Sequence, residues 1–239
     1  MKTSNIILLS VFITGIAWQI VFDSLASAVV RDVDNNKTPR YGYLLNNKTI
    51  IKPGDFDTLL IRTDGGIMIN IRPGLSNTIY VSEGLDDYFR YSVTGRKLKL
   101  DISQPKSVED QSITLEVNLL QTIITTHSFS NEWTSRYELH LEGLKWPQLQ
   151  INAQFPNTIH LENCTFRKLG INSQLQQEIN SNRGVNLTGD NLIDSLKLNI
   201  TGSGNVSLAN CGKHYNQISL SDSVSLNASL PVIQKIVEK

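Results

Sequence analysis

Apolar and polar residues alternate along most of this chain, and from Tyr137 to Ser229 one six-residue pattern returns five times. The copies are Leu139-His-Leu-Glu-Gly-Leu144, Ile159-His-Leu-Glu-Asn-Cys164, Val185-Asn-Leu-Thr-Gly-Asp190, Val206-Ser-Leu-Ala-Asn-Cys211 and Val224-Ser-Leu-Asn-Ala-Ser229. An aliphatic residue stands at the first and third positions each time, and the start-to-start intervals are 20, 26, 21 and 18 residues. Self-similarity at that period is the signature of stacked repeat architectures. A second alternating segment precedes several copies. Leu149-Gln-Ile-Asn152 lies ten residues before Ile159 and Leu196-Lys-Leu-Asn199 ten before Val206, while Leu169-Gly-Ile-Asn172 and Ile218-Ser-Leu-Ser221 sit at looser offsets.

Each repeat therefore reads as strand, turn, strand. Side chains alternate faces along a strand, so the aliphatic residues point to a core and the intervening His, Asn, Ser, Glu and Gln to water. One such unit cannot bury its apolar face alone, so successive units must stack with neighbouring strands about 4.8 Å apart. The alternation leaves two closures open, a parallel β-helix or antiparallel hairpins in a roll. The longest interval, Ile171 to Val185 with Gln174-Leu-Gln-Gln-Glu178, reads as an excursion from one rung.

Upstream, alternating runs cover Leu59 and Ile61, Ile67 to Ile71, Ile79 and Val81, Tyr91 and Val93, Leu98 to Ile102, and Ile113 to Leu119. Asp64-Gly65-Gly66, Pro73-Gly74 and Thr94-Gly95-Arg96 punctuate them as turns. Gly95 can supply the positive φ of a tight turn, so Tyr88–Val93 and Lys97–Ile102 read as a hairpin. The expectation for this half is a set of antiparallel strands. Residues 31–56 are polar, with Pro39, Pro53 and Gly54, and read as a tether.

Ile6 to Phe22 is apolar apart from Ser10, Thr14, Gly15 and Gln19, and reads as a hydrophobic helix that meets a membrane. Ala26-Ser27-Ala28 offers a signal-peptidase site, whereas the length of the run also suits an uncleaved anchor, and both remain open. Either places the residues from about 30 onward outside the cytoplasm. The expected organisation is 1–30 signal peptide or transmembrane anchor, 31–56 tether and 57–239 all-β domain, with repeats over about 137–230. The expected fold is all-β: a stacked-repeat β-solenoid preceded by antiparallel strands and the N-terminal hydrophobic helix.

Composition agrees with strands and polar turns, since Asn, Ser and Thr are abundant. The 239 residues hold 22 basic and 22 acidic side chains, with no basic cluster. Nucleic acid is therefore not an expected partner.

Candidate chemistry is sparse. Cys164 and Cys211 occupy the same repeat position with one repeat between them. In a regular stack their Cα atoms would lie two rungs apart, roughly 9.6 Å from the strand spacing, beyond the ~7 Å that a disulfide spans. Two separate thiols are expected. His140 and His160 share a position, as do Glu142 and Glu162, so direct stacking would make a two-by-two patch. Imidazole and carboxylate are zinc ligands, but stacked polar side chains are also what any solenoid exterior carries, and no metal ligand is assigned. Trp133 and Trp146, with Tyr137 between them, read as the cap of a terminal coil rather than a sugar platform. No catalytic constellation stands out, and no catalytic residue or cofactor is expected.

The order of export segment, Ile67-Met-Ile-Asn-Ile71, a hairpin ending in Leu98-Lys-Leu-Asp-Ile102, and repeats containing Gly202-Ser-Gly-Asn205 resembles the GIN-domain proteins, adhesin-head domains of bacterial cell envelopes. The resemblance covers roughly residues 57 to 230. Gln154-Phe-Pro-Asn157 stands where the family often has another Gly-rich turn, so the chain reads as a divergent member. The resemblance implies a right-handed β-helical, extracytoplasmic domain, periplasmic or at the cell surface, and carries no catalytic residues. The expected function is a non-catalytic binding, adhesion or structural module of the cell envelope. Its N-terminal segment would contact the membrane, and its ligand would be a protein or a glycan. A β-helical polysaccharide-acting enzyme and a membrane-anchored sensor or assembly partner are the alternatives.

Overall fold

Ile, Leu, Val and Thr at every second position favour extended backbone packed on one side, and the alternating runs become strands. The computed structural model describes residues 48–64, 66–103, 112–127, 137–156, 158–175, 184–209, 212–229 and 232–233. These belong to one compact unit, Lys48–Lys239. The first strands are β1 (Lys48–Ile51), β2 (Thr58–Thr63), β3 (Met68–Pro73), β4 (Thr78–Ser82), β5 (Phe89–Thr94), β6 (Lys97–Ile102), β7 (Ser112–Val117) and β8 (Thr122–His127). The repeats supply β9 (Glu138–Glu142), β10 (Lys145–Gln154), β11 (Thr158–Glu162), β12 (Thr165–Gln174) and β13 (Gly184–Thr188). They continue with β14 (Leu192–Thr201), β15 (Gly204–Leu208), β16 (Gly212–Leu220) and β17 (Val224–Ala228). Helix among the described residues is confined to the 3-10 turn Asp86–Tyr88 and residues 232–233.

Two mixed sheets result. The nine-stranded sheet runs β1-β4-β7-β3-β9-β11-β13-β15-β17 and the eight-stranded sheet β16-β14-β12-β10-β8-β2-β6-β5. From β6 onward the chain alternates strictly between them, and from β8 each further pair of strands adds one position to each sheet. The first and third positions of the first four copies form two aliphatic columns; the fifth copy is shifted by two residues, so that Leu226 rather than Val224 stands opposite Val206. Leu139, Ile159, Val185 and Val206 are in register and fully buried. Leu141, Leu161, Leu187 and Leu208 form the second column. Each such side chain contributes about 1.5–3 kcal/mol by leaving water.

The turn from one sheet to the other reuses one backbone device. Gly143 (φ 67°) and Asn163 (φ 56°) each follow the last residue of a short strand in the left-handed conformation, open to Gly and tolerated by Asn. The strand after the turn starts four or more residues earlier than the repeat pattern indicated. β10, β12 and β14 each span ten residues, and two consecutive positions break the alternation after Trp146, Phe166 and Ile193. Burial then resumes at Leu149, Leu169 and Leu196.

The first half departs from the expected antiparallel set. β1–β4, β4–β7 and β5–β6 are antiparallel, the last being the expected hairpin around Gly95 (φ 58°). By contrast β2 pairs in parallel with β6 and β8, and β3 with β7 and β9. The reason is topological. β2 and β3 lie in different sheets, so neither can fold back on the other, and each pairs with strands further along the chain that run in the same direction. β1 falls within the stretch expected as a tether and pairs with β4. The hydrophobic helix over 1–30, most of the 31–56 tether and the excursion over 176–183 lie outside the described residues. No helix among the described residues is long and apolar enough to cross a membrane.

Candidate functional site

The two-by-two patch inferred from the repeats is brought together on the solvent side of the nine-stranded sheet. β9 and β11 pair in parallel with His140 opposite His160 and Glu142 opposite Glu162. The row continues through Asn186 and Ser207 on one side and Asn70 on the other. The two imidazoles stack, yet they turn to different partners. His140 Nε2 lies 3.1 Å from Glu138 Oε2, whereas His160 Nε2 lies 3.1 Å from Thr188 Oγ1 and 4.0 Å from Glu162 Oε2. Burial pushes the His160 pKa below its ordinary value; a charge on His140 pushes the same way, and Glu162 and Glu138 oppose. No three His, Cys, Asp or Glu side chains among the described residues converge as a metal site. The patch is a polar surface of two stacked imidazoles flanked by carboxylates and a threonine hydroxyl.

Cys164 is a free thiol, buried at the turn after β11. Burial raises its pKa to about 11. Its Sγ faces the carbonyls of Glu162 (3.3 Å) and Leu141 (3.5 Å), and its N–H donates to Asn191 Oδ1 at 2.8 Å. Cys211 and Trp133 lie outside the described residues. Tyr137 and Trp146 are buried, but they do not cap a terminal coil. β9 and β10 sit inside their sheets, because the strands of the first half extend the same two sheets beyond them. Trp146 packs edge-on against Phe166 and its indole N–H donates to the Asn118 carbonyl at 2.9 Å.

A second surface was not singled out from the sequence. On the solvent side of the eight-stranded sheet, Asn152, Asn172 and Asn199 stand in register on β10, β12 and β14. Two residues further along the same strands, Gln154, Gln174 and Thr201 form a parallel row. With Ile124 and Thr126 of β8 they line a furrow of about 260 Å³ that crosses four strands near their C-terminal ends. The amides are tied together: Asn152 Oδ1 accepts from Asn172 Nδ2 (2.9 Å) and from Gln150 Nε2 (3.2 Å). Gly170 makes this possible, since a Cβ there would overlap the Gln150 side chain. Beneath one end, the buried Tyr137 hydroxyl donates to the Gln154 carbonyl (2.8 Å) and lies 2.5 Å from Thr125 Oγ1. The signal was present in the quartets ending in Asn152, Asn172 and Asn199, the same residue at one position of three repeats. Its meaning depends on register, which composition does not carry.

No protein-family model matches the chain, and no curated protein matches it. Solved structures do. A putative adhesin from Bacteroides fragilis is similar over 76% of this chain and 96% of its own, at 15% identity and a TM-score of 0.46. A putative lipid binding protein from Parabacteroides distasonis covers 77% of this chain and 95% of its own, at 15% identity and a TM-score of 0.36. A putative cell adhesion protein from Clostridium sporogenes covers 77% and 94%, at 16% identity and a TM-score of 0.30.

Proposed function

We propose that this chain is a non-catalytic binding module of the bacterial cell envelope, a GIN-type domain over residues 57–239 whose alternating strands wind as a β-solenoid. The observation that carries the reading is the furrow across β8, β10, β12 and β14, with its two in-register rows of amide and hydroxyl side chains. Asn, Gln and Thr donate and accept hydrogen bonds but do not exchange protons near neutral pH, so such a surface holds a ligand without transforming it. The apolar run Ile6 to Phe22 and the Ala26-Ser-Ala28 sequence support an extracytoplasmic location, with residues 1–30 as signal or anchor. Residues 31–47 would lead from that segment to β1.

The test is sedimentation of the purified full chain with isolated bacterial envelope material. Saturable retention, weakened by Asn172→Leu in the furrow, is the expected result. Absence of retention at all protein concentrations, with the chain folded by circular dichroism, would refute the module.

A further inference from the structure

We infer that the furrow on the eight-stranded sheet takes an extended, uncharged β-linked glycan lying across the strands, one sugar ring to a rung. The inference rests on the binding-module reading above and goes beyond it in naming the ligand class and its direction.

The lining decides the chemistry. On β10, β12 and β14 the amides of Asn152, Asn172, Asn199, Gln154 and Gln174 and the Thr201 hydroxyl set donors and acceptors side by side, while the β8 rung offers the Thr126 hydroxyl beside the apolar Ile124. A sugar hydroxyl is likewise donor and acceptor at once. No charged side chain lines the furrow among the described residues, which leaves a phosphate, sulfate or uronate without a counter-charge. A protein partner is disfavoured, because interfaces concentrate their energy in buried aromatic and Arg anchors, and this lining has neither.

Spacing decides the shape. Parallel strands repeat at about 4.8 Å, close to the pitch of sugar rings along an extended β-linked chain. Four strands offer four rungs. At about 260 Å³ the furrow is smaller than the ~300–1,000 Å³ of pockets that enclose a compact ligand, and its length across strands suits a chain held by repetition. The amides are also positioned in advance. The two bonds accepted by Asn152 Oδ1 fix which edge of that amide is left to donate, which lowers the ordering cost of binding.

The experiment is calorimetric titration of the full chain with neutral β-1,4- and β-1,3-linked oligosaccharides of glucose and N-acetylglucosamine, from disaccharide to hexasaccharide. Affinity is expected to rise with each added sugar up to the tetrasaccharide and then level. Asn172→Leu, at an exposed position, should weaken the tetrasaccharide by about tenfold, as expected for losing one or two hydrogen bonds. His160→Asn, on the other sheet, should leave it unchanged. Absence of binding by every oligosaccharide, affinity that does not depend on length, or Asn172→Leu binding as wild type would each overturn the inference. Sedimentation with envelope material before and after exhaustive digestion with β-1,4-glucanase, β-1,3-glucanase and chitinase separates this failure from that of the module. Retention that survives digestion overturns the glycan and leaves the module standing, whereas loss of retention on digestion supports the glycan.

Discussion

His140 and His160 stack ring on ring across paired parallel strands, 5.4 Å between centroids and 23° between planes, while their Nε2 atoms turn to different partners. The stack joins two titratable groups. His160 is held below its ordinary pKa of 6.5, first by burial and then by charge on His140. A histidine whose folded-state pKa is depressed is neutral in the fold where the unfolded chain already binds a proton. Its stabilising contribution is therefore present above about pH 6.5 and is lost as pH falls through the folded value. His140→Asn removes the charge while keeping a polar side chain, so the His160 titration monitored by NMR should move up. An unmoved or lowered His160 titration in that variant would refute the coupling.

Gly202 and Gly95 both hold positive φ, 94° and 58°, but their surroundings differ. A Cβ at Gly95 meets nothing within 4 Å, whereas one at Gly202 would overlap the Leu175 carbonyl. Gly95→Ala should cost the left-handed penalty of about 1–2 kcal/mol. Gly202→Ala should cost about 2–4 kcal/mol, because overpacking adds to that penalty. Urea denaturation of the two variants checks the difference, and equal losses would remove the close approach from the account.

The aliphatic columns were legible because period-two alternation maps directly onto one face of a strand. Leu139, Ile159, Val185 and Val206 needed only their spacing. The first-half pairing was not legible, since parallel strands share no turn and leave no local signature between them. β2 and β3 show the difficulty: β6 and β7 add to one side of them and β8 and β9 to the other, an insertion that only the tertiary core specifies. Tyr137 and Trp146 were misplaced for the same reason, as the first repeat looked terminal in sequence and is internal in the sheets. The His140–His160 pair was found because it shares the strongest part of the repeat. The Asn152, Asn172 and Asn199 row falls among the polar positions expected on the solvent face, but not as a furrow, because a furrow exists only once the register is known.

Asn191 is buried at the turn before β14 and links the turn after β11 to the end of β13. Its Oδ1 accepts from the Cys164 N–H, and its Nδ2 donates to the carbonyls of Leu161 and Thr188. Asn191→Ala leaves those buried backbone groups without partners and should cost about 2–4 kcal/mol, given ~1–3 kcal/mol for each orphaned group. Asn191→Asp keeps an acceptor for Cys164 but sets a carboxylate against two carbonyl oxygens, so it should rescue little. Thermal unfolding of both variants tests this, and an Asp variant as stable as wild type would show that the donated bonds contribute nothing.

Cys164 should be chemically silent in the folded chain. Burial and a pKa near 11 leave almost no accessible thiolate at pH 8. In a Cys211→Ser background, Ellman's reagent should label Cys164 only as fast as the protein opens, and at once in urea. Rapid stoichiometric labelling of the folded variant would contradict the burial.

Phe155 adopts φ 52°, a left-handed conformation that an aromatic residue holds only when its surroundings fix it. Two bonds do so. The Phe155 N–H donates to the Gln174 carbonyl at 2.7 Å, and the Tyr137 hydroxyl donates to the preceding carbonyl, that of Gln154, at 2.8 Å. Tyr137→Phe keeps the ring in the core and leaves the Phe155 N–H bond intact, but removes the hydroxyl that serves both the Gln154 carbonyl and the Thr125 hydroxyl. The loss should be about 1–3 kcal/mol. Adding Thr125→Val removes one of the orphaned groups, so the double variant should be more stable than the sum of the two single losses predicts. Because the strained turn is released locally, exchange of the Phe155 amide should quicken by more than the global loss of stability accounts for. If exchange at Phe155 follows global unfolding alone, the Tyr137 hydroxyl does not hold the turn.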